Sequence, residues 1–283
     1  MGDSRPVTHE AWLAACRRAA EAIGAMLAER STTAERALET GTRGSGGDHT
    51  LEIDDAAETL VFDELERLYE QGHRFSAISE ERGAVDFGDP RVLVVIDPID
   101  GSLNAKRGLS HHALSVAVAT GATMADVHFG YVRDFGPAEE WWAASGEGAF
   151  LNGRRLDRDV PERRGPDGRI EVVGIESADP RWLKGSIDIL IERAYRLRAL
   201  GAIAPSLCQV AAGRFDGLVS LRGCRAVDAA AAQLIVREAG GLVSFPKFED
   251  RLQAPLDLVP HSPVVAARTP ATLAELEAVC LHQ

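Results

Sequence analysis

Cysteine is scarce in this chain and shows no arrangement: Cys16, Cys208, Cys224 and Cys280 are the four present in 283 residues, and no two form a C-x-x-C pair. That scatter excludes a thiolate zinc site or a disulfide framework and leads us to expect free, buried thiols. Long apolar runs are missing as well. None approaches the length that crosses a bilayer, and residues 1–6 carry no apolar leader core, so a cytoplasmic protein is expected. Positive charge is the third shortage: 31 Lys and Arg face 43 Asp and Glu, a net charge of −12. This balance argues against nucleic acid or an anionic membrane as partner. There is no internal repeat, and no low-complexity tract beyond the glycine-rich stretch at 41–48. What remains is an ordinary soluble composition, 45% hydrophobic and 26% charged, with enough chain for one large domain or two smaller ones.

The most informative segment follows the apolar run Val92-Leu93-Val94-Val95-Ile96, which has the length and β-branching of a buried strand. It empties into Asp97-Pro98-Ile99-Asp100-Gly101-Ser102. Two carboxylates at a strand's end either repel each other or hold a cation, and hard divalent ions such as Mg²⁺ prefer oxygen ligands completed by phosphate and water. Gly101, Ser102, Leu103 and Asn104 then offer successive backbone N–H groups to an anion. The ordinary alternative is a tight turn with capping aspartates. Upstream, a second strand, Phe75-Ser76-Ala77-Ile78, runs into Ser79-Glu80-Glu81, otherwise readable as a solvated acidic loop. Downstream, Asp228 opens an alanine-rich helix that stops at Gly240-Gly241 and reads at its plainest as a helix N-cap. His111-His112 could suggest a metal pair, but neighbours on a strand point to opposite faces, so a structural role is expected.

Periodicity predicts helices over about 8–37 and 54–71, separated by a mobile glycine-rich loop at 41–48. Strands are expected at 75–79, 92–96, 114–119, 127–132 and 140–144. Residues 161–168, polar and rich in Pro and Gly, would link two halves, 1–160 and 161–283. In the second half strands at 171–175, 197–200, 217–221, 242–245 and 264–267 alternate with helices at 182–194, 205–212, 228–239 and 272–281. The first half therefore reads as α+β with an antiparallel sheet and the second as α/β.

The three acidic segments, in this order, resemble the inositol monophosphatase family of Mg²⁺-dependent sugar-phosphate phosphatases. The likeness rests on Glu80-Glu81, on Asp97 to Ser102, and on Asp228 leading to Glu238-Ala239-Gly240-Gly241. It is strongest to the branch that accepts both inositol phosphates and fructose 1,6-bisphosphate. The resemblance implies a layered αβαβα fold, two or three Mg²⁺ ions and a homodimer, to which Trp141-Trp142 could contribute an exposed aromatic. It implies metal ligation by Glu80, Asp97, the Ile99 carbonyl, Asp100 and Asp228, with Asp97 bridging. Four converging carboxylates would otherwise protonate or unfold the site. It further implies that Glu80 and the Ser102 hydroxyl orient the attacking water, with Asp54 orienting the hydroxyl, although Asp54 also reads as a helix N-cap. Where relatives carry a Lys ahead of Asp54, this chain has Arg43 and Asp48-His49-Thr50, which puts a third metal in doubt.

Substrate contacts are expected from Asp100, Gly101, Ser102 and Asn104, and from the turn holding Arg198 and Ile203. Leu221 stands where inositol-selective relatives have an acid, and Arg222 and Arg225 follow. One apolar residue and two guanidiniums suit a second phosphate better than a polyol, so fructose 1,6-bisphosphate is expected to be cleaved at least as well as inositol 1-phosphate. A nucleotidase for 3′-phosphoadenosine 5′-phosphate and a catalytically silent metal-binding scaffold are the competing readings. The D-x-x-D spacing excludes the phosphatases that use a nucleophilic Asp in D-x-D.

Overall fold

The computed structural model describes residues 7–30, 32–45 and 49–281; the absent leader expected at 1–6 and the site residue Asp48 lie outside them. The predicted first helix is two. α1 (His9–Glu29) is followed by a single turn, α2 (Thr33–Arg36), because Thr32 and Glu35 form a reciprocal capping box that starts a new helix. The glycine-rich stretch expected to be a loop instead contributes β1 (Glu39–Arg43), paired antiparallel with β2 (His49–Leu51). α3 (Glu52–Glu70) packs with α1 on one face of a seven-stranded sheet.

That sheet runs in the order β3 (Phe75–Ser79), β4 (Gly83–Asp100), β5 (Ala113–Ala119), β6 (Val127–Asp134), β7 (Glu139–Ala144), β8 (Gly148–Leu151) and β9 (Arg154–Arg155), with the short α4 (Ser102–Arg107) between β4 and β5. The sequence marked only the second half of β4. Its first half turns back along β3, pairing Ser79 with Gly83 and Phe75 with Phe87. The chain then reverses near Gly88 (φ 93°), and the second half pairs with β3 in parallel, Ser76 with Leu93 and Ser79 with Ile96. All later pairings in this sheet are antiparallel.

A five-stranded sheet follows, built from β10 (Ile170–Glu176), β11 (Ala194–Arg198), β12 (Gly217–Ser220), β13 (Leu242–Ser244) and β14 (Val265–Ala267) in the order β11-β10-β12-β14-β13. Its first three strands are parallel and its last two antiparallel. α5 (Pro180–Arg193) and α8 (Pro270–Leu281) cover one face, whereas α6 (Ile203–Ala211) and α7 (Ala226–Glu238) cover the other. Strand alternation sorts side chains between these layers. Val94 and Ile96 join the α1/α3 core, Val95 joins the α6/α7 core, and Leu218 and Val219 divide likewise between α6/α7 and α5/α8. The α6/α7 layer is thus sandwiched between both sheets, which gives the expected αβαβα order. Among the described residues no helix is long and apolar enough to cross a membrane. Cys16, Cys208 and Cys224 are buried free thiols, and Cys280 is partly buried.

α7 is buried on nearly every face because its first turns are small: Ala226, Ala229, Ala230, Ala231 and Ala232. Its backbone lies directly on β6, so a Cβ at Gly130 would stand 2.5 Å from the Ala231 carbonyl oxygen. Neither backbone can yield cheaply in a packed core. Gly130→Ala should therefore cost about 1–3 kcal/mol, measured by urea unfolding; an unchanged midpoint would show that α7 can lift from the sheet.

Candidate active site

The parallel register of β3 on β4 builds the site. Because Ser79 pairs with Ile96, the residues that follow them, Glu80 and Asp97, leave the sheet side by side. Glu58 of α3 fixes the first exit. Its Oε1 accepts from the Ser79 hydroxyl, and from the backbone N–H groups of Glu81 at 3.3 Å and Arg82 at 3.1 Å. At the second exit Asp97 Oδ1 accepts from Ile99 N–H at 3.0 Å, and a register shift between Asp97 and Asp100 swings the chain off the ladder. Gly101 completes the bend at φ 88°, where a Cβ would stand 2.9 Å from the His111 carbonyl oxygen. The Ser102 hydroxyl donates back to the Ile99 carbonyl at 3.0 Å.

Asp100 points the other way, to the N-terminus of α6. Its Oδ2 accepts Ala204 N–H at 2.6 Å, with Ile203 N–H also directed to the carboxylate. Asp228 comes from α7, packed against β5, where the Ser115 hydroxyl donates to the Val227 carbonyl at 3.4 Å. It occupies the third helical position, behind the cap residue Arg225, so the plain reading of Asp228 as N-cap does not hold. The same applies to Asp54, in the first turn of α3 with Leu51 as cap.

These residues line a cleft of about 430 Å³ with Glu39, Leu51, Glu81, Leu103 and Lys106. A smaller recess of about 310 Å³ adjoins it, sharing Asp100, Arg225 and Asp228 and adding Glu176, Gly201 and Ile203. Asp97 is almost fully buried (1% exposed). Burial, followed by the charges of Glu80, Asp100 and Asp228, holds its carboxyl well above the usual range; burial and Asp228 do the same to Asp100. Burial pushes Glu80 up to about 7 against the pull of Arg225. It also pushes Asp54 to about 7, helped by Glu81 and Glu80, and leaves Asp54 Oδ1 buried with no hydrogen-bond partner. An all-oxygen donor set short of positive charge, with an orphaned carboxylate oxygen beside it, fits hard divalent cations.

The cleft therefore gathers Glu80, Asp97, Ile99, Asp100, Gly101, Ser102, Asp228 and Asp54, as the sequence suggested, and of the expected substrate arginines Arg225 but not Arg198 or Arg222. Arg225 reaches it only as an ion-pair partner of the carboxylates, 2.7 Å from Glu80 and 3.2 Å from Asp228. Arg222 stacks on Trp182, 4.4 Å from the ring centroid, in a separate groove with Arg181 and Lys247. Arg198 is exposed and donates to the carbonyl of its neighbour Leu197. The Asn104 amide is spent on the carbonyls of His111 and Leu200, at 2.9 and 2.7 Å, so it ties the two halves together rather than facing the cleft. His111 and His112 precede β5 rather than lie on it. His111 faces Asp134 at 2.8 Å and His112 faces the Leu109 carbonyl at 3.1 Å.

Three residues here escaped the sequence reading. Glu58 could have been noticed as an acid on the apolar face of α3. Glu176 ends an apolar strand just as Asp97 does, and it accepts from Leu200 N–H, Gly201 N–H and the Ser206 hydroxyl at 2.9, 3.0 and 2.6 Å. Lys106 also lines the cleft, paired with Glu39 at 3.9 Å, and nothing in its local pattern announces it.

Comparison with known proteins gives the chain's family. The model of the inositol monophosphatase family matches residues 8–281. The Nus factor SuhB of Escherichia coli K12 is 36% identical over 231 residues, covering 80% of this chain and 82% of its own. A fructose-1,6-bisphosphatase/inositol-1-monophosphatase of Thermococcus kodakarensis is 36% identical over 212 residues, 74% and 75% of the two chains. The solved structure of the MJ0109 gene product, an inositol monophosphatase-fructose 1,6 bisphosphatase, superposes with a TM-score of 0.80 at 26% identity over 95% of this chain and 99% of that one.

Carboxyls raised to about 7 in the fold bind protons that the unfolded chain has released, so their stabilising contribution is complete at acid pH and lost as pH rises through 7. His112 and His128, whose burial lowers their affinity for protons, tilt stability oppositely, but below the ordinary value of 6.5. Chelator-treated protein should therefore lose thermal stability as pH rises from about 4.5 to 7.5, most plainly above 6.5 where the histidines no longer oppose it, and excess Mg²⁺ should flatten that slope. Differential scanning calorimetry checks both; a rising or flat profile in chelator would contradict the assignment.

Proposed function

The chain belongs to the inositol monophosphatase family, a family of metal-dependent phosphatases, and from that premise we propose that it hydrolyses small sugar or cyclitol phosphate monoesters with Mg²⁺ as cofactor. The observation that carries this reading is the set of four carboxylates, Glu80, Asp97, Asp100 and Asp228, at one end of a cleft with none of them replaced. Metal ions bound there would supply charge neutralisation and a water of lowered pKa. Glu80, Asp97 and the Ile99 carbonyl would hold one ion, and Asp97, Asp100 and Asp228 another. The chain's own groups do the orienting. The Ser102 hydroxyl and Asp54 face the cleft beside Glu80, where they can position a water and accept its proton. Asp100 is locked on α6 and Asp97 on Ile99 N–H, so neither needs to reorganise as charge develops on the phosphate.

On substrate, Lys106 is the cation in place for a phosphate or sugar oxygen, and the arginine trio that favoured a bisphosphate is not assembled. Fructose 1,6-bisphosphate and inositol 1-phosphate both remain substrates of choice for testing, since one relative carries both activities in its name. The relatives named Nus factor do not carry an enzyme's name. The silent-scaffold reading that their name invites would be supported by a missing ligand, and each carboxylate that the family likeness calls for is present in this sequence. A homodimer is proposed on family likeness alone: Trp141 is fully buried, and Trp142 is partly buried and stacks on Phe150 at 4.1 Å.

The deciding experiment is phosphate release with Mg²⁺ over a panel of sugar, inositol and nucleotide phosphates. Asp97→Asn should lower kcat at least about a hundredfold, because metal-held charge stabilisation is worth several kcal/mol, with circular dichroism unchanged. Full turnover by that variant, or by the parent protein in excess chelator, would refute the reading. Arg222→Ala should leave KM for both substrates unchanged, since its guanidinium lies outside the cleft; a rise confined to the bisphosphate would place Arg222 back at the substrate.

A further inference from the structure

Arg225 is a charged group in the cleft whose position the phosphatase reading does not use. Guanidinium Nη1 stands 2.7 Å from Glu80 Oε1, Nη2 stands 3.2 Å from Asp228 Oδ1, and the residue's own backbone N–H donates to Asp228 Oδ2 at 2.7 Å. Both oxygens of Asp228 are thereby engaged by one residue. All three side chains are withdrawn from solvent, with Arg225 only 18% exposed. A Mg²⁺ ion sits about 2.0–2.1 Å from each ligand oxygen, so an ion held by Glu80, or one held by Asp228, would have to take an oxygen face that the guanidinium now occupies. Two like charges cannot share it. Among the described residues, moreover, no three His, Cys, Asp or Glu side chains are gathered closely enough to hold an ion. The carboxylates are drawn around an arginine.

We propose that Arg225 is a tethered cation that competes with divalent metal for Glu80 and Asp228, and so sets how tightly this chain holds its metal. The inference rests on the metal-dependent reading above and deepens it. Arg225 neutralises part of a cluster of four buried carboxylates, and Lys106, directed to Glu39, is not placed to replace it. Its backbone stays anchored as the cap of α7, so a displaced guanidinium remains at the junction of the two recesses, both of which it lines. There its donors suit the oxygens of a phosphate ester. Metal entry would thus release the group that helps receive the anion.

The test measures metal, not turnover. Chelator-treated protein is titrated with Mn²⁺ by isothermal calorimetry, without substrate, and compared with Arg225→Ala and with the longer, neutral Arg225→Gln. Removing a competing charge-assisted contact should tighten Mn²⁺ binding by about tenfold or more in both variants. Their melting temperature should fall in chelator and recover with Mn²⁺. In the unmutated protein, modification of Arg225 by phenylglyoxal, followed by peptide mass spectrometry, should be several-fold faster with Mn²⁺ than with chelator. Unchanged or weaker Mn²⁺ affinity in both variants, or modification no faster with metal, would overturn the proposal while leaving the phosphatase reading standing. Absence of Mn²⁺ binding by the parent and both variants alike would overturn both.

Discussion

Everything at this site depends on bringing acidic side chains together where water is largely excluded. Carboxylates that converge in a low-dielectric pocket repel, and each also loses hydration. The fold holds them against that force with groups that do not move. Asp97 and Glu80 are fixed because two parallel strands end in register, Asp100 because it sits on the N–H groups that open α6, and Asp228 because α7 is wedged between two sheets. None depends on a long flexible side chain or an exposed loop. Such preorganisation costs stability in the site and is offset by the three apolar cores around it.

The alternation of apolar and small residues is what permits the wedge. A helix placed between two sheets must present apolar surface all round, and α7 does so with alanines rather than large side chains. Small residues let its backbone approach β6 closely, so Asp228 lines the same cleft as Asp97 and Asp100. Larger side chains would push the helix away and open the cluster. The run of alanines in the first turns of α7 therefore serves the acidic cleft as much as the core.

Much of this was legible in the sequence because acids at strand exits and periodic apolar runs are local signals. Asp97, Asp100, Glu80 and Asp228 could all be picked out, as could an antiparallel α+β half followed by an α/β half, whereas the layered order came from the family resemblance. What escaped is non-local. The first half of β4 is half-exposed and carries Asp86 and Asp89, so it lacked a strand's pattern until its pairing with β3 was known. The hairpin of β1 and β2 lies in a glycine-rich stretch whose composition suggests a loop. Arg222 and Arg225 are three residues apart and looked equivalent, but Arg225 caps α7 and Arg222 lies ahead of that cap. One guanidinium consequently turns to Trp182 and the other to the carboxylates. Composition cannot separate two such arginines; only the direction of the backbone does.

The two halves of the cleft are also joined by polar contacts that no single segment reveals. Asn104, just beyond the acidic turn, donates to the Leu200 carbonyl, and Glu176 holds the N–H groups of Leu200 and Gly201 from the other side. Gly201 can lie there because its φ is 82° and because a Cβ would meet the Asn104 amide at 3.0 Å. The Leu200-Gly201-Ala202 turn is thus clamped between a residue of the first sheet's turn and a residue ending a strand of the second. Asp100, bound to the start of α6 immediately afterwards, makes a third tie. Together they convert what could be a hinge between two sheets into a fixed wall of the cleft. The acidic cluster of the cleft is thereby backed by a wall tied to both sheets.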